Sequence, residues 1–153
     1  LNVSLNYKDF DLSMFFQGVC GVDIYNGQKF QTDFYSITDA GSNKGNRMLQ
    51  AWTPDNTSST IPALTTNNTG DEGRASTYYV EHGSWMKLRS LQLGYNMPAK
   101  LLKKVSMTSA RFYVSGQNLF TLKSDGFTVS DPENPNWAYP HATSVSFGLQ
   151  LGF

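Results

Sequence analysis

Apolar and polar residues alternate from the first position, Leu1, Val3, Leu5 and Tyr7 on one parity and Asn2, Ser4 and Asn6 on the other. A period of two is what a strand with one apolar face requires. After Lys8-Asp9 the pattern restarts in the opposite phase, with Phe10, Leu12, Met14 and Phe16 set against Asp11, Ser13 and Gln17. This predicts a tight hairpin joining strands at about 1–8 and 9–18. Phe15 is the one residue out of step. A third strand is predicted over about 78–96, where Tyr78, Val80, Met86 and Leu88 hold even positions but Leu91, Leu93 and Tyr95 odd ones. Such a change of parity requires a bulge or a rim crossing, placed near Lys87 to Ser90. Met97-Pro98 ends the run, and Ala99 to Val105 reads as a short helical turn with Lys100, Lys103 and Lys104. The fourth strand, about 110–122, sets Phe112 and Val114 against Arg111, Tyr113, Ser115 and Gln117. In the fifth, 142–153, Thr143, Val145, Phe147, Leu149, Leu151 and Phe153 alternate with Ser144, Ser146, Gly148, Gln150 and Gly152.

Between these strands lie connections of very unequal length: 8–9, 18–77, 96–109 and 121–142. Compact soluble domains rarely carry unstructured loops beyond ~12–15 residues. Short turns alternating with long loops are instead the habit of spanning barrels, whose tilted strands need ~9–11 residues each. Five strands cannot close a barrel, and open edges in hydrocarbon leave backbone groups unpaired, so further strands are expected upstream. The chain starts at Leu1 in mid-pattern, without initiator Met or leader-like apolar run, which fits a piece of a longer protein whose targeting signal also lies upstream. The competing architecture is a soluble carbohydrate-binding β-sandwich, which would cover the apolar faces with a second sheet.

Composition narrows the function classes. Ser, Thr, Asn and Gly supply 54 of the 153 residues, against a helical bundle and in favour of strands with polar loops. Twelve basic and twelve acidic residues cancel, with no basic cluster to grip a polyanion, so nucleic acid is not an expected partner. A single cysteine, Cys20, permits neither an internal disulfide nor a thiolate metal cluster, and His82 and His141 lack ligand spacing; no metal or other cofactor is expected. Asp131 with Glu133, or Glu81 beside His82, offer acid–base chemistry only if both groups face one substrate, which sequence neighbours do not establish. Asp131-Pro132-Glu133 reads as a turn, and no catalytic residue is assigned.

In order along the chain stand Tyr7-Lys8-Asp9-Phe10-Asp11-Leu12-Ser13, Trp52-Thr53-Pro54-Asp55-Asn56, Ile61-Pro62, and Tyr79-Val80-Glu81-His82-Gly83-Ser84-Trp85-Met86-Lys87-Leu88-Arg89. They are followed by Leu93-Gly94-Tyr95-Asn96-Met97-Pro98, Gly116-Gln117-Asn118-Leu119-Phe120-Thr121-Leu122, Asp131-Pro132-Glu133 and Tyr139-Pro140. Together these segments resemble the C-terminal part of the SusC/RagA family of TonB-dependent outer-membrane transporters. The chain departs from the family pattern at Ala63, at His141-Ala142-Thr143 and at Gly152. The resemblance implies an all-β fold in which antiparallel amphipathic strands form the last ~5 strands of a ~22-stranded transmembrane β-barrel with long extracellular loops, the plug domain lying upstream. It also implies a cell outer membrane of a Gram-negative bacterium of the Bacteroidota, and uptake of glycans, oligosaccharides or peptides. Partners implied are a SusD-like surface lipoprotein, the TonB complex acting through the N-terminal part, the barrel assembly machinery and the lipid bilayer.

Under this resemblance Ser146, Gly148, Leu151 and Phe153 of the terminal octet look like a barrel-assembly signal, since a closing strand must offer an edge before it pairs. Leu1, Val3, Leu5, Phe112, Val114, Val145, Phe147, Leu149 and Leu151 are expected to face lipid. Asn2, Ser4, Asn6, Arg111, Tyr113, Ser115, Ser144, Ser146 and Gln150 are expected to face the lumen. Trp52, Trp137 and Tyr139 fall in the long loops, where aromatic faces either meet extracellular ligand or lid protein, or pack within the loops or an interfacial girdle.

Overall fold

The computed structural model describes residues 1–34, 43–64, 71, 73–103, 106–134 and 139–153. They fall into two units: 1–22 with 83–125 and 140–153, and 23–82 with 126–139.

The first unit is an antiparallel sheet in the order β1-β2-β5-β6-β7, made of β1 (Asn2–Tyr7), β2 (Phe10–Val19), β5 (Trp85–Asn96), β6 (Ser109–Lys123) and β7 (Ser144–Gly152). Its register aligns the alternation of every strand with that of its neighbour. Leu5, Leu12, Leu93, Val114 and Phe147 form one continuous row across all five strands, and Tyr7, Phe10, Tyr95, Phe112 and Leu149 the row beside it. The opposite face carries Asn6, Asp11, Gly94, Tyr113 and Gly148 in one row and Ser4, Ser13, Gln92, Ser115 and Ser146 in another. One-residue slippage would invert either face, so the pattern itself fixes the pairing. Val145 and Leu149 stay 56% and 52% exposed, whereas a β-sandwich would cover them.

Phe15 stays out of step, paired with Asn2 and Ser90 on the polar parity; the register shift beside it skips Arg89 on β5, and the pairing of β5 with β6 shifts between Leu88 and Ser90 where the bulge is expected. From Gln117 to Phe120 the chain takes three steps opposite two on β5, and Asn118 absorbs the excess at φ 51°. Asn tolerates that left-handed conformation better than most side chains. Lys8 in the hairpin turn adopts φ 53°. Val19, Trp85 and Lys123 are register partners, so residues 20–84 and 124–143 leave and rejoin the sheet at the same end. The Lys8-Asp9 turn and the 97–108 connection, which holds the single turn α2 (Ala99–Leu102), lie at the other.

The expected single strand at 78–96 is corrected. Thr77–Tyr79 is a 3-10 turn, Val80–His82 is a separate strand β4 paired with β3 (Asp23–Tyr25), and Gly83-Ser84 separates it from β5. Glycine lacks the side chain that holds a strand straight, and Gly83 turns its amide to the Val22 carbonyl at 2.7 Å. The 18–77 segment is likewise not structureless: β2 continues to Val19, and beyond β3 come α1 (Gly27–Asp33) and a 3-10 helix at Asn46–Gln50. The second unit buries Phe34, Met48, Ala51 and Tyr79, with Phe30, Ile61 and Tyr78 packed against them.

Candidate functional site

Two rows on the polar face of the sheet are built from side chains that reach across strands. Over Gly94 the guanidinium of Arg111 meets Asp11, Nε donating at 3.1 Å to Oδ1 and Nη2 at 2.5 Å to Oδ2, while Asn96 Nδ2 donates to the same carboxylate at 3.2 Å. A Cβ at Gly94 would meet the Asp11 carboxylate and the Arg111 guanidinium, so a side chain at this strand position would have to push both heads aside. Gly148 serves Tyr113 in the same way, the phenol ring lying where a Cβ would be. Higher on the sheet Arg89 donates from Nε to Gln17 Oε1 at 3.0 Å and from Nη1 to Asn118 Oδ1 at 3.3 Å. Asn118 in turn donates to the Ala142 carbonyl at 3.1 Å and accepts from the Thr143 hydroxyl at 2.9 Å. The bulge is thus cross-tied from β2 to the start of β7.

The second unit has a polar network of its own. Asn26 caps α1 by accepting the Lys29 amide at 3.1 Å, as a helix start prefers. Its Nδ2 donates to Glu81 Oε1 at 3.1 Å and to Thr128 Oγ1 at 2.9 Å. Glu81 also accepts the Thr128 amide and hydroxyl at 2.9 and 2.8 Å. Asp33 is fully buried and accepts three donors: Arg47 Nε at 2.9 Å, the Thr32 hydroxyl at 3.0 Å and the Tyr78 hydroxyl at 2.7 Å. Burial and the bond to Asp33 push the Tyr78 phenol well above its usual range. Lys29 donates to the Tyr78 carbonyl at 2.5 Å and stands 3.8 Å from Glu81 and 4.1 Å from the Tyr78 ring centroid. Burial lowers its pKa, and the Glu81 charge works against that shift. Lys29, Arg47, Thr60, Ile61, Thr77 and Tyr78 line an open cleft of about 430 Å³.

Of the residues singled out in the sequence, Trp52 is half-exposed in the second unit, its amide bonded to the Ile61 carbonyl at 2.9 Å. Tyr139 is 95% exposed, and Trp137 lies outside the described residues. The described ring contacts of this unit run instead through Tyr25, Phe30, Phe34, Tyr78 and Tyr79. Ser146 and Gly148 sit on the polar face of β7, Leu151 opposite Ala110 on the apolar one, and Phe153 is exposed just past the strand. Glu81 and His82 do not converge: Glu81 turns to Asn26 and Thr128 while His82 Nδ1 meets Asp23 at 2.9 Å, as successive strand residues must point to opposite sides. Asp131 closes a turn, its Oδ1 accepting the Glu133 amide at 3.1 Å and its carbonyl that of Asn134 at 3.1 Å. Asn26, Lys29, Asp33, Arg47 and Tyr78 were not singled out by sequence. The available signal was Asn26 ahead of Phe30 and Phe34, a capped helix with one apolar stripe.

An antiparallel sheet with an exposed apolar face, a polar cross-tied face and its long connections at one end defines a stretch of transmembrane β-barrel wall. Over 171 residues the chain is 33% identical to TonB-dependent receptor P3 of Formosa agariphila, covering 99% of this chain and 16% of that protein. TonB-dependent receptor P26 of the same organism is 30% identical over 166 residues, with 98% and 16% covered. The solved RagAB peptide importer in its closed-closed state matches with a TM-score of 0.72 at 28% identity, over 96% of this chain and 16% of that one. The RagAB peptide transporter gives 0.70 at 26%, over 95% and 16%. No family model matches. Over nearly its whole length the chain is similar to these TonB-dependent receptors and RagAB transporters, and it spans 16% of the length of the relatives it matches.

Proposed function

We propose that the chain supplies barrel wall and outer loops to a transporter that carries glycans, oligosaccharides or peptides across the outer membrane of a Gram-negative bacterium of the Bacteroidota. The TonB complex would drive it and a SusD-like surface lipoprotein would work beside it; no catalytic step is assigned. One observation carries this reading: five strands in register expose an unbroken apolar face, Leu5, Leu12, Leu93, Val114 and Phe147, that water would not tolerate and hydrocarbon requires. The peptide import named for RagAB and the receptor names of the Formosa agariphila proteins support it. Trp52, Trp137 and Tyr139 are proposed to meet ligand or lipoprotein on the outer side.

Protease added to intact cells that express the full-length receptor is expected to cut within 18–77 and 121–142 and to spare 96–109. Cleavage confined to 96–109 would reverse the orientation and remove the loops from the ligand side. Ser146, Gly148, Leu151 and Phe153 are proposed to engage the assembly machinery. Deleting Phe153 is expected to lower outer-membrane abundance with normal uptake per assembled receptor; normal abundance with lost uptake would remove that role.

A further inference from the structure

The cations of the second unit are held in an unusual way. A surface arginine or lysine normally keeps its head in water and needs no buried partner. Here Arg47 keeps 27% of its side chain exposed while its partner carboxylate, Asp33, is wholly buried, and Lys29 at 15% stands against Glu81 at 5%. Dehydrating a carboxylate is costly, and what that cost achieves is orientation. Asp33 takes Arg47 Nε, and Thr32 and Thr128 take one bond each from Nη2 and Nη1 at 3.3 and 3.4 Å. Those three bonds engage three of the five guanidinium protons, leaving one further donor on each Nη. Both cations line the cleft, whereas Asp33 and Glu81, the buried partners, do not. Around the two cations the cleft is lined by Thr60, Thr77, Ile61 and Tyr78.

We propose that this cleft binds a carboxylate group of the imported ligand, with Arg47 and Lys29 as its charged donors, Thr60 and Thr77 as hydroxyl donors and Tyr78 with Ile61 against the carbon skeleton that bears it. The proposal rests on the transport reading, since it takes the cleft to lie on the ligand side of the receptor. Carboxylate is favoured over phosphate because two cations already paired to acids supply directed hydrogen bonds rather than the excess charge a dianion needs. Carboxylates reach such a receptor from two sources, a peptide C-terminus or a uronic acid.

The test uses the purified full-length receptor and matched probes: a short peptide with a free or an amidated C-terminus, and an oligosaccharide ending in a uronic acid or in the corresponding neutral sugar. In at least one pair the carboxylate form is expected to bind about tenfold or more tightly, as charge-assisted bonds in a partly dry site do. The pair that shows it identifies the source. Lys29→Gln and Thr77→Val, which leave the Asp33 bonds in place, are expected to shrink that preference, and Arg47→Lys to shrink it while keeping the charge. Equal affinity within both pairs overturns the proposal, as does a preference that survives Lys29→Gln, Thr77→Val and Arg47→Lys. Binding is read apart from uptake, so a receptor that prefers carboxylates yet carries nothing into cells overturns the transport reading and leaves the cleft standing.

Discussion

Replacing Phe147 by arginine is expected to deplete the receptor from the outer membrane, whereas Ser146→Arg, one residue away, leaves it near the wild-type level. Phe147 is 84% exposed on the apolar face, flanked on its own strand by Val145 and Leu149 and beside Val114 on β6. At that depth a guanidinium must sit in hydrocarbon or drag water to itself, costing ~2–4 kcal/mol at the midplane of a barrel wall. Ser146 points the other way, in the row with Ser115 and Gln92, where a long cationic side chain meets the polar face. The pair of variants therefore separates a lipid-facing wall from any fold in which β7 has two solvated or two packed faces. Outer-membrane abundance and the heat-modifiable migration of the folded barrel read the result. Equal behaviour of the two variants would remove the membrane assignment of this face.

That the wall is legible in sequence and the second unit is not follows from where each keeps its information. In the sheet every residue repeats the same statement: Leu5, Leu12 and Phe147 are apolar and their neighbours Ser4, Ser13 and Ser146 polar, over strands of six to fifteen residues. A period of two is read locally, and the register then follows from matching faces. The bulge announces itself too, through the change of parity around 88–90. Among the described residues the second unit offers three-residue strands, a seven-residue helix and short 3-10 turns, below the length at which periodicity separates from chance. Its specificity is carried by contacts between distant residues: Asn26 bonds to Glu81 across 55 positions and to Thr128 across 102. Glu81 stood out in the sequence for the wrong neighbour, since adjacency to His82 in a strand places the two on opposite sides. No local rule reveals that Asp33 becomes the most buried charge among the described residues of the unit.

The buried position of Asp33 makes it the residue whose loss should most loosen the second unit. Asp33→Ala removes the common acceptor of Arg47 Nε, the Thr32 hydroxyl and the Tyr78 hydroxyl, and opens a void beside Phe34. Removing one partner of a buried pair costs ~3–5 kcal/mol when the other stays dry. Arg47 is partly exposed and recovers some hydration, which brings the expected loss to roughly 2–4 kcal/mol. Asp33→Asn keeps the volume and one carbonyl acceptor and should fall between this and wild type. Tyr78→Phe, which deletes one donor and leaves Asp33 with two, should cost only ~1 kcal/mol. Hydrogen exchange on the full-length receptor can place the effect: amides in 23–34 and 73–82 are expected to exchange about a hundredfold faster in Asp33→Ala, with β5 and β6 unchanged because their bonds belong to the sheet. Exchange that rises equally in β5 and β6 would mean that the two units open together. Exchange unchanged in both would mean that the apolar packing of Phe34, Met48 and Tyr79, and not the Asp33 network, holds this unit in place.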